Sequence, residues 1–214
     1  MPTEVTPSEQ RIVLRDVSWT LYENLLETNR DHSTPRFTYD QGELEIVSPS
    51  AQHEQLKETI VLLVNAIAEA RELDVVGLGS TTFRRQDLER GFEPDGCFYL
   101  TNIRHIKGKR EVDLERDPPP DIVVEIDVTH PSIAKFPIFA ALGVKEIWHY
   151  TDASETWRIL SLVNGDYEEQ AESRFFPGLT ALALAQFIRD NDETPRPAWL
   201  RHIRAWAMRV TGTV

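Results

Sequence analysis

A chain of 214 residues, 41% hydrophobic and 27% charged, is long enough to bury a sizeable core and too apolar to stay disordered. A single cysteine, Cys97, excludes an internal disulfide framework and a cysteine-built zinc site. The formal net charge of −12 sets the average field against polyanions, so any nucleic-acid contact has to come from local basic clusters.

The polar, acidic start of the chain lacks the basic and apolar parts of a secretory signal, and no apolar run reaches the roughly 18 residues a membrane span needs. The expectation is a cytoplasmic chain with no membrane partner. Residues 19–28 place Trp19, Tyr22, Leu25 and Leu26 at helical spacing behind Ser18 as N-cap. Residues 36–39 and 43–47 read as a hairpin across Asp40-Gln41-Gly42. Ser48-Pro49-Ser50 closes the second strand and opens the longest helix, 51–73, with Leu56, Ile60, Leu63, Val64 and Ile67 on one face.

Strands at 75–78 and 81–85 follow, the first running into Gly77-Leu78-Gly79-Ser80. Those two glycines lack the third glycine and the helix of a phosphate loop, and read as a turn. A strand at 96–100 precedes the charged stretch 104–117, which ends in Pro118-Pro119-Pro120 and reads as an exposed loop. Its Arg104, His105, Lys107, Lys109 and Arg110, like Arg84-Arg85, form a basic cluster, offset by Glu111, Asp113, Glu115 and Asp117. Such a loop is either simply solvated or a DNA contact.

Residues 121–128 are the best candidate for a central strand. A helix starting at Pro131 and stopped by Gly143 comes next, then strands at 147–150, 156–163 and 167–171 with Asn164-Gly165 as a hairpin turn, and a helix at 180–189. The last stretch, 195–214, spaces Trp199, Ile203, Trp206 and Val210 helically, with four arginines and no acid. Docking on the body or a partner subunit, nucleic-acid contact and a membrane-surface helix all accommodate it. The expected organisation is a main domain over 1–194 and a basic amphipathic segment over 195–214.

Strand alternation over 121–127 puts Ile122, Val124 and Ile126 on one face and Asp121, Val123, Glu125 and Asp127 on the other. Glu125 and Asp127 then lie about 7 Å apart. A like-charge pair in an otherwise apolar strand needs compensation by a cation, a lysine or an arginine, and the reading without a site is a solvated edge-strand face or a salt bridge. Asp95 opens the strand at 96–100, so a third carboxylate can lie at the end of a neighbouring strand, and one or two carboxylates suit a hard cation such as Mg2+.

The order Glu93-Pro94-Asp95, then Pro119-Pro120-Asp121-Ile122-Val123-Val124-Glu125-Ile126-Asp127, then Pro131-Ser132 and Lys135, resembles the PD-(D/E)xK nuclease superfamily. More closely, the stretch 39–187 is similar to its Uma-type restriction-endonuclease-like branch, through Gly42-Glu43-Leu44-Glu45, Ser48-Pro49, His53-Glu54, Leu142-Gly143-Val144 and Glu146-Ile147-Trp148. The resemblance implies an α/β (α+β) fold with a mixed β-sheet flanked by helices, Mg2+ or Mn2+, and phosphodiester hydrolysis on DNA as an endonuclease; double-strand cutting needs two active sites, so a homodimer is expected. It implies Asp95 and Glu125 as the acids of the site and Asp95, Glu125 and Ile126 as metal ligands, with Glu54 and His53 as helical candidates. This chain departs from the motif two residues past Glu125, where Asp127 stands in place of lysine. Lys135 is the substitute the resemblance offers, with Asp127 as an extra ligand or a partner that holds Lys135. Removing the charge of Asp95 or Glu125 is expected to weaken Mn2+ binding while leaving the fold intact. The rival reading is a non-catalytic binding or structural module on the same fold.

Overall fold

In the computed structural model, which describes residues 9–109, 111–127 and 134–210, the chain builds two β-sheets and six helices among those residues. Strands β1 (Gln10–Leu14), β2 (Arg36–Asp40), β3 (Glu43–Ser48), β5 (Phe83–Arg85) and β6 (Arg90–Phe92) form an antiparallel sheet of order β1-β3-β2-β6-β5. Strands β4 (Val76–Gly77), β7 (Gly96–Tyr99), β8 (Ile122–Asp127), β9 (Glu146–Thr151), β10 (Thr156–Val163) and β11 (Asp166–Glu169) form the other, of order β11-β10-β9-β8-β7-β4. Only β8 and β9 run parallel in it, so this is the mixed sheet that the resemblance implies. The parallel pair needs a crossover, and the helix α4 (Lys135–Ala141) lies between them in the chain. The expected helical start at Pro131 lies outside the described residues.

Each face of the mixed sheet is covered for a reason visible in its alternation. Ile122, Val124 and Ile126 of β8 meet Ile60, Val64 and Ile67 of the helix α2 (Ala51–Ala70). The helices α5 (Ala181–Glu193) and α6 (Arg196–Val210) complete that cluster with Leu184, Phe187, Trp199 and Ile203. Val123 and Ile147, on the other face, pack with Ile138 and Phe139 of α4 and with Phe83 and Phe92 of the antiparallel sheet. The antiparallel sheet turns its far face to the helix α1 (Trp19–Thr28), where Trp19, Tyr22 and Leu26 bury Phe37, Tyr39 and Leu44. Its near face therefore looks into a seam between the two sheets.

Capping at α1 follows the sequence reading, and the same device opens two further helices. The Ser18, Ser50 and Thr180 hydroxyls accept from Leu21, His53 and Ala183 N–H at the starts of α1, α2 and α5. The β2–β3 turn puts Gln41 and Gly42 at φ of 48° and 102°, the left-handed pair a two-residue hairpin requires. Helix α2 stops three residues early because Glu72 turns left-handed at φ 54° and the Leu73 N–H reaches back to Ala68 O at 2.9 Å. The charged stretch 104–117 is anchored as well as exposed. The short helix α3 (Ile103–Ile106) buries both of its isoleucines, Leu114 joins them, and Lys107 and Lys109 pair with Asp74 and Asp117.

Asp121, fully buried at the foot of β8, accepts from Leu100 N at 2.8 Å, Thr101 N at 2.7 Å, Thr101 Oγ1 at 2.6 Å and Lys145 Nζ at 3.1 Å. Burial pushes its pKa up, and these donors outweigh burial to hold it below the ordinary carboxylate value. The stability it contributes is thus present above an unfolded-state pKa of about 3.9 and is lost as pH falls through the lower folded value. Asp121→Asn is expected to cost about 1.5–3 kcal/mol near neutrality. The difference from wild type in urea midpoint should close as pH drops below about 4, and a gap unchanged at lower pH would refute the account.

Candidate active site

Alternation on β2 and β3 delivers polar groups to the seam: Phe37, Tyr39 and Leu44 face α1, so Arg36, Thr38 and Glu45 face the mixed sheet. From the mixed sheet come Asp95, Glu125 and Asp127, 5%, 2% and 6% exposed. Gly96 pairs with Val124 and Cys97 with Val123, so one step further Asp95 stands opposite Glu125, side chains on one face. Asp95 is fixed there because its Oδ2 accepts from Ile126 N at 2.6 Å. The two acids lie at the ends of adjacent central strands, so the face is no solvated edge, and both acids are in salt bridges, as the other form of that reading has it.

Cations hold each acid. The Arg36 guanidinium bonds Asp95 with one amine and Glu54 with the other, and the His53 Nε2 lies 2.8 Å from Asp95 Oδ1. His53 owes its place to the Ser50 cap, which seats it in the first turn of α2 above the strand tips. Its Nδ1 lies 3.1 Å from Glu9, which also bonds Arg11, and Arg11 bonds Glu45 at 2.7 Å. Lys135, the first residue of α4, donates to Glu125, with Glu45 Oε2 at 3.7 Å. Burial drives the Lys135 pKa down, but Glu125 and Glu45 outweigh it and hold the ammonium above its ordinary value. Arg36 goes the other way: burial lowers its pKa against the pull of Glu54, Glu125, Glu93 and Glu9.

Asp127 neither binds Lys135 nor substitutes for a lysine. Its Oδ2 lies 2.7 Å from His149 Nε2, and His149 Nδ1 lies 2.9 Å from Arg158 Nη2. A guanidinium only donates, so Nδ1 accepts from Arg158 and the Nε2 hydrogen goes to Asp127. Asp127 thus meets Lys135 only through its charge, which helps hold the ammonium above its ordinary value, while its hydrogen bond goes into a ladder across β8, β9 and β10.

The structure thus brings together Asp95, Glu125, Lys135 and His53, and reaches Glu54 through Arg36. Glu54, its side chain 43% exposed, also meets Lys57 at 3.3 Å and stands at the mouth of the seam. His53 and Glu54 line a groove of about 650 Å³ with Tyr150 and Trp157. Arg36, Arg11, Glu9 and His149 escaped the sequence reading. The available signal was Arg36 and Glu45 sharing the polar phase of a hairpin whose other phase is aromatic. Cys97 is no competing nucleophile, since burial pushes its thiol up to about 12.

Carboxylate oxygens are the ligand type a hard divalent ion takes, although among the described residues no three His, Cys, Asp or Glu side chains converge to cage one. Two of the carboxylates stand on opposed residues, and Asp127 Oδ1 is buried without a hydrogen-bond partner. Of the expectation about charge removal, the part that leaves the fold intact is revised: each acid carries a buried cation, so neutralising the acid strands that cation.

No helix among the described residues is long and apolar enough to cross a membrane. No curated protein matches the chain. Four chains of solved structures match, among them the crystal structure of "a putative nuclease belonging to DUF820" from Anabaena variabilis. It is 13% identical, covers 72% of this chain and 92% of its own, and superposes with a TM-score of 0.51, a likeness of fold. The family model Uma2, described as "Putative restriction endonuclease", matches residues 19–190, which is most of the chain, and the protein belongs to that family.

Proposed function

We propose that the protein is a metal-dependent nuclease that hydrolyses phosphodiester bonds of DNA at the seam. The observation that carries the reading is Asp95 standing opposite Glu125 on neighbouring strands, with the Lys135 ammonium bonded to Glu125. Membership of the family supports a nuclease class of reaction.

Asp95 and Glu125 would hold Mg2+ or Mn2+, with the Ile126 carbonyl completing the protein's share of ligands. The ion supplies Lewis-acid charge at the phosphate and lowers the pKa of an attacking water. Lys135 places fixed positive charge where negative charge develops on the phosphate, which is the work of the motif lysine at another point in the chain. His53 and Arg36 hold the rotamer of Asp95. Two copies related by a two-fold axis would present two sites to a duplex.

The test is cleavage of plasmid DNA in Mn2+. Lys135→Ala is expected to retain calorimetric Mn2+ binding and to lose about 10²–10³ in cleavage rate. Full cleavage by that variant would remove Lys135 from the reaction. Absence of cleavage by the wild type with every divalent ion tried would favour the non-catalytic module instead.

A further inference from the structure

The acids that would hold the ion are not empty-handed, and one of their cations is built like a phosphate ligand. Arg36 is 4% exposed, and its fork spans from the buried Asp95 to Glu54 at the mouth. Glu125 acts on it as well, through the field that opposes its deprotonation. Its Nε is buried without a hydrogen-bond partner, so the guanidinium has donor capacity to spare. Among the described residues no three His, Cys, Asp or Glu side chains converge as a ready-made ion cage. Asp95 is already engaged: its Oδ1 receives Arg36, with His53 Nε2 2.8 Å away, and its Oδ2 is taken by Ile126 N.

Resting on the proposed metal-dependent reading, we propose that Arg36 is a positioning residue that serves Asp95 as a built-in counter-ion and couples ion binding to substrate binding. In the free protein the guanidinium competes with a divalent ion for Asp95. A substrate phosphate reaching the mouth offers the same planar fork a bidentate anion. Arg36 then turns from Asp95 to the phosphate, Asp95 regains an oxygen for the ion, and each ligand tightens the other by the same factor. The consequence is a site that loads its ion when DNA is present.

The test measures affinity and needs no turnover. Mn2+ is titrated calorimetrically into the whole protein, alone and with a short phosphorothioate duplex that resists hydrolysis. Wild type is expected to bind Mn2+ about tenfold more tightly with the duplex, and the duplex about tenfold more tightly with Mn2+. Arg36→Met should bind Mn2+ more tightly than wild type without the duplex and show no further gain with it. Arg36→Lys, which keeps the charge, should stay weak in the free state. Equal Mn2+ affinity in wild type with and without duplex, or weaker binding by Arg36→Met, overturns the coupling while leaving the ion site standing. Failure of wild type to bind Mn2+ in either state overturns the ion site and the coupling with it. Equal affinities in the wild-type pair still overturn the coupling if Arg36→Met does not fold, and Arg36→Gln then takes its place in the comparison.

Discussion

Deleting residues 195–214 is expected to leave a protein without a cooperative unfolding transition. Helix α6 carries Trp199, Ile203 and Ala207 into the cluster shared by α2, α5 and β8, and Trp199 is 1% exposed. Its indole Nε1 donates to Phe187 O at 2.7 Å, so the helix also satisfies a carbonyl of α5. The cation–π contact of Arg71 with Trp206 and the ion pair of Arg204 with Glu69 tie the same helix to α2. A single truncation, Trp199→Ala, should cost about 3–5 kcal/mol through the cavity it leaves. Chemical denaturation checks both, and a deletion variant with a wild-type midpoint would show that α6 is merely laid on the surface. The result bears on boundaries, because the family match stops at residue 190 while the core does not.

The second large effect concerns Glu125. Replacing it by glutamine should abolish tight Mn2+ binding and also destabilise the fold by about 3 kcal/mol, the lower end of the cost of breaking a buried ion pair from one side. The lower end applies because the glutamine oxygen still accepts from Lys135, which keeps Glu45 at 3.7 Å. The distinctive expectation is the rescue. Adding Lys135→Met to Glu125→Gln removes the stranded ammonium, and the double variant should be more stable than Glu125→Gln alone. Strict additivity of the two single changes in urea denaturation would contradict the pairing.

Much of this architecture could be read from periodicity. The extents of α1 and β10, the β2–β3 hairpin and the two-faced alternation of β8 follow from local pattern, since cap, turn and burial agree there. Strands β1 and β6 could not be read so. The Arg-Gly-Phe of β6 is too short for a period, and β1 is an edge strand whose pairing with β3 is decided by distant partners. The site divides the same way. Asp95, Glu125 and Lys135 came from a motif with local spacing. Arg36, Arg11 and Glu9 enter it because a second sheet folds against the first, an approach decided by partners distant in the chain. His149 was hidden for a related reason: its meaning depends on register, which sets it beside Glu125 on one side and Arg158 on the other.

The Asp127–His149–Arg158 ladder makes the departure from the motif a commitment of three positions. A lysine restored at 127 would face a ring whose hydrogen already points at it and whose far nitrogen is occupied by a guanidinium. Two donors would meet head-on, with no acceptor between them, in a buried place. A lysine at 127 would therefore need changes at 149 and 158 as well, whereas a lysine at the start of α4 leaves all three undisturbed. The place of Asp127 is thus fixed by two neighbouring strands as much as by its own, and a change of charge there is a change to three residues at once.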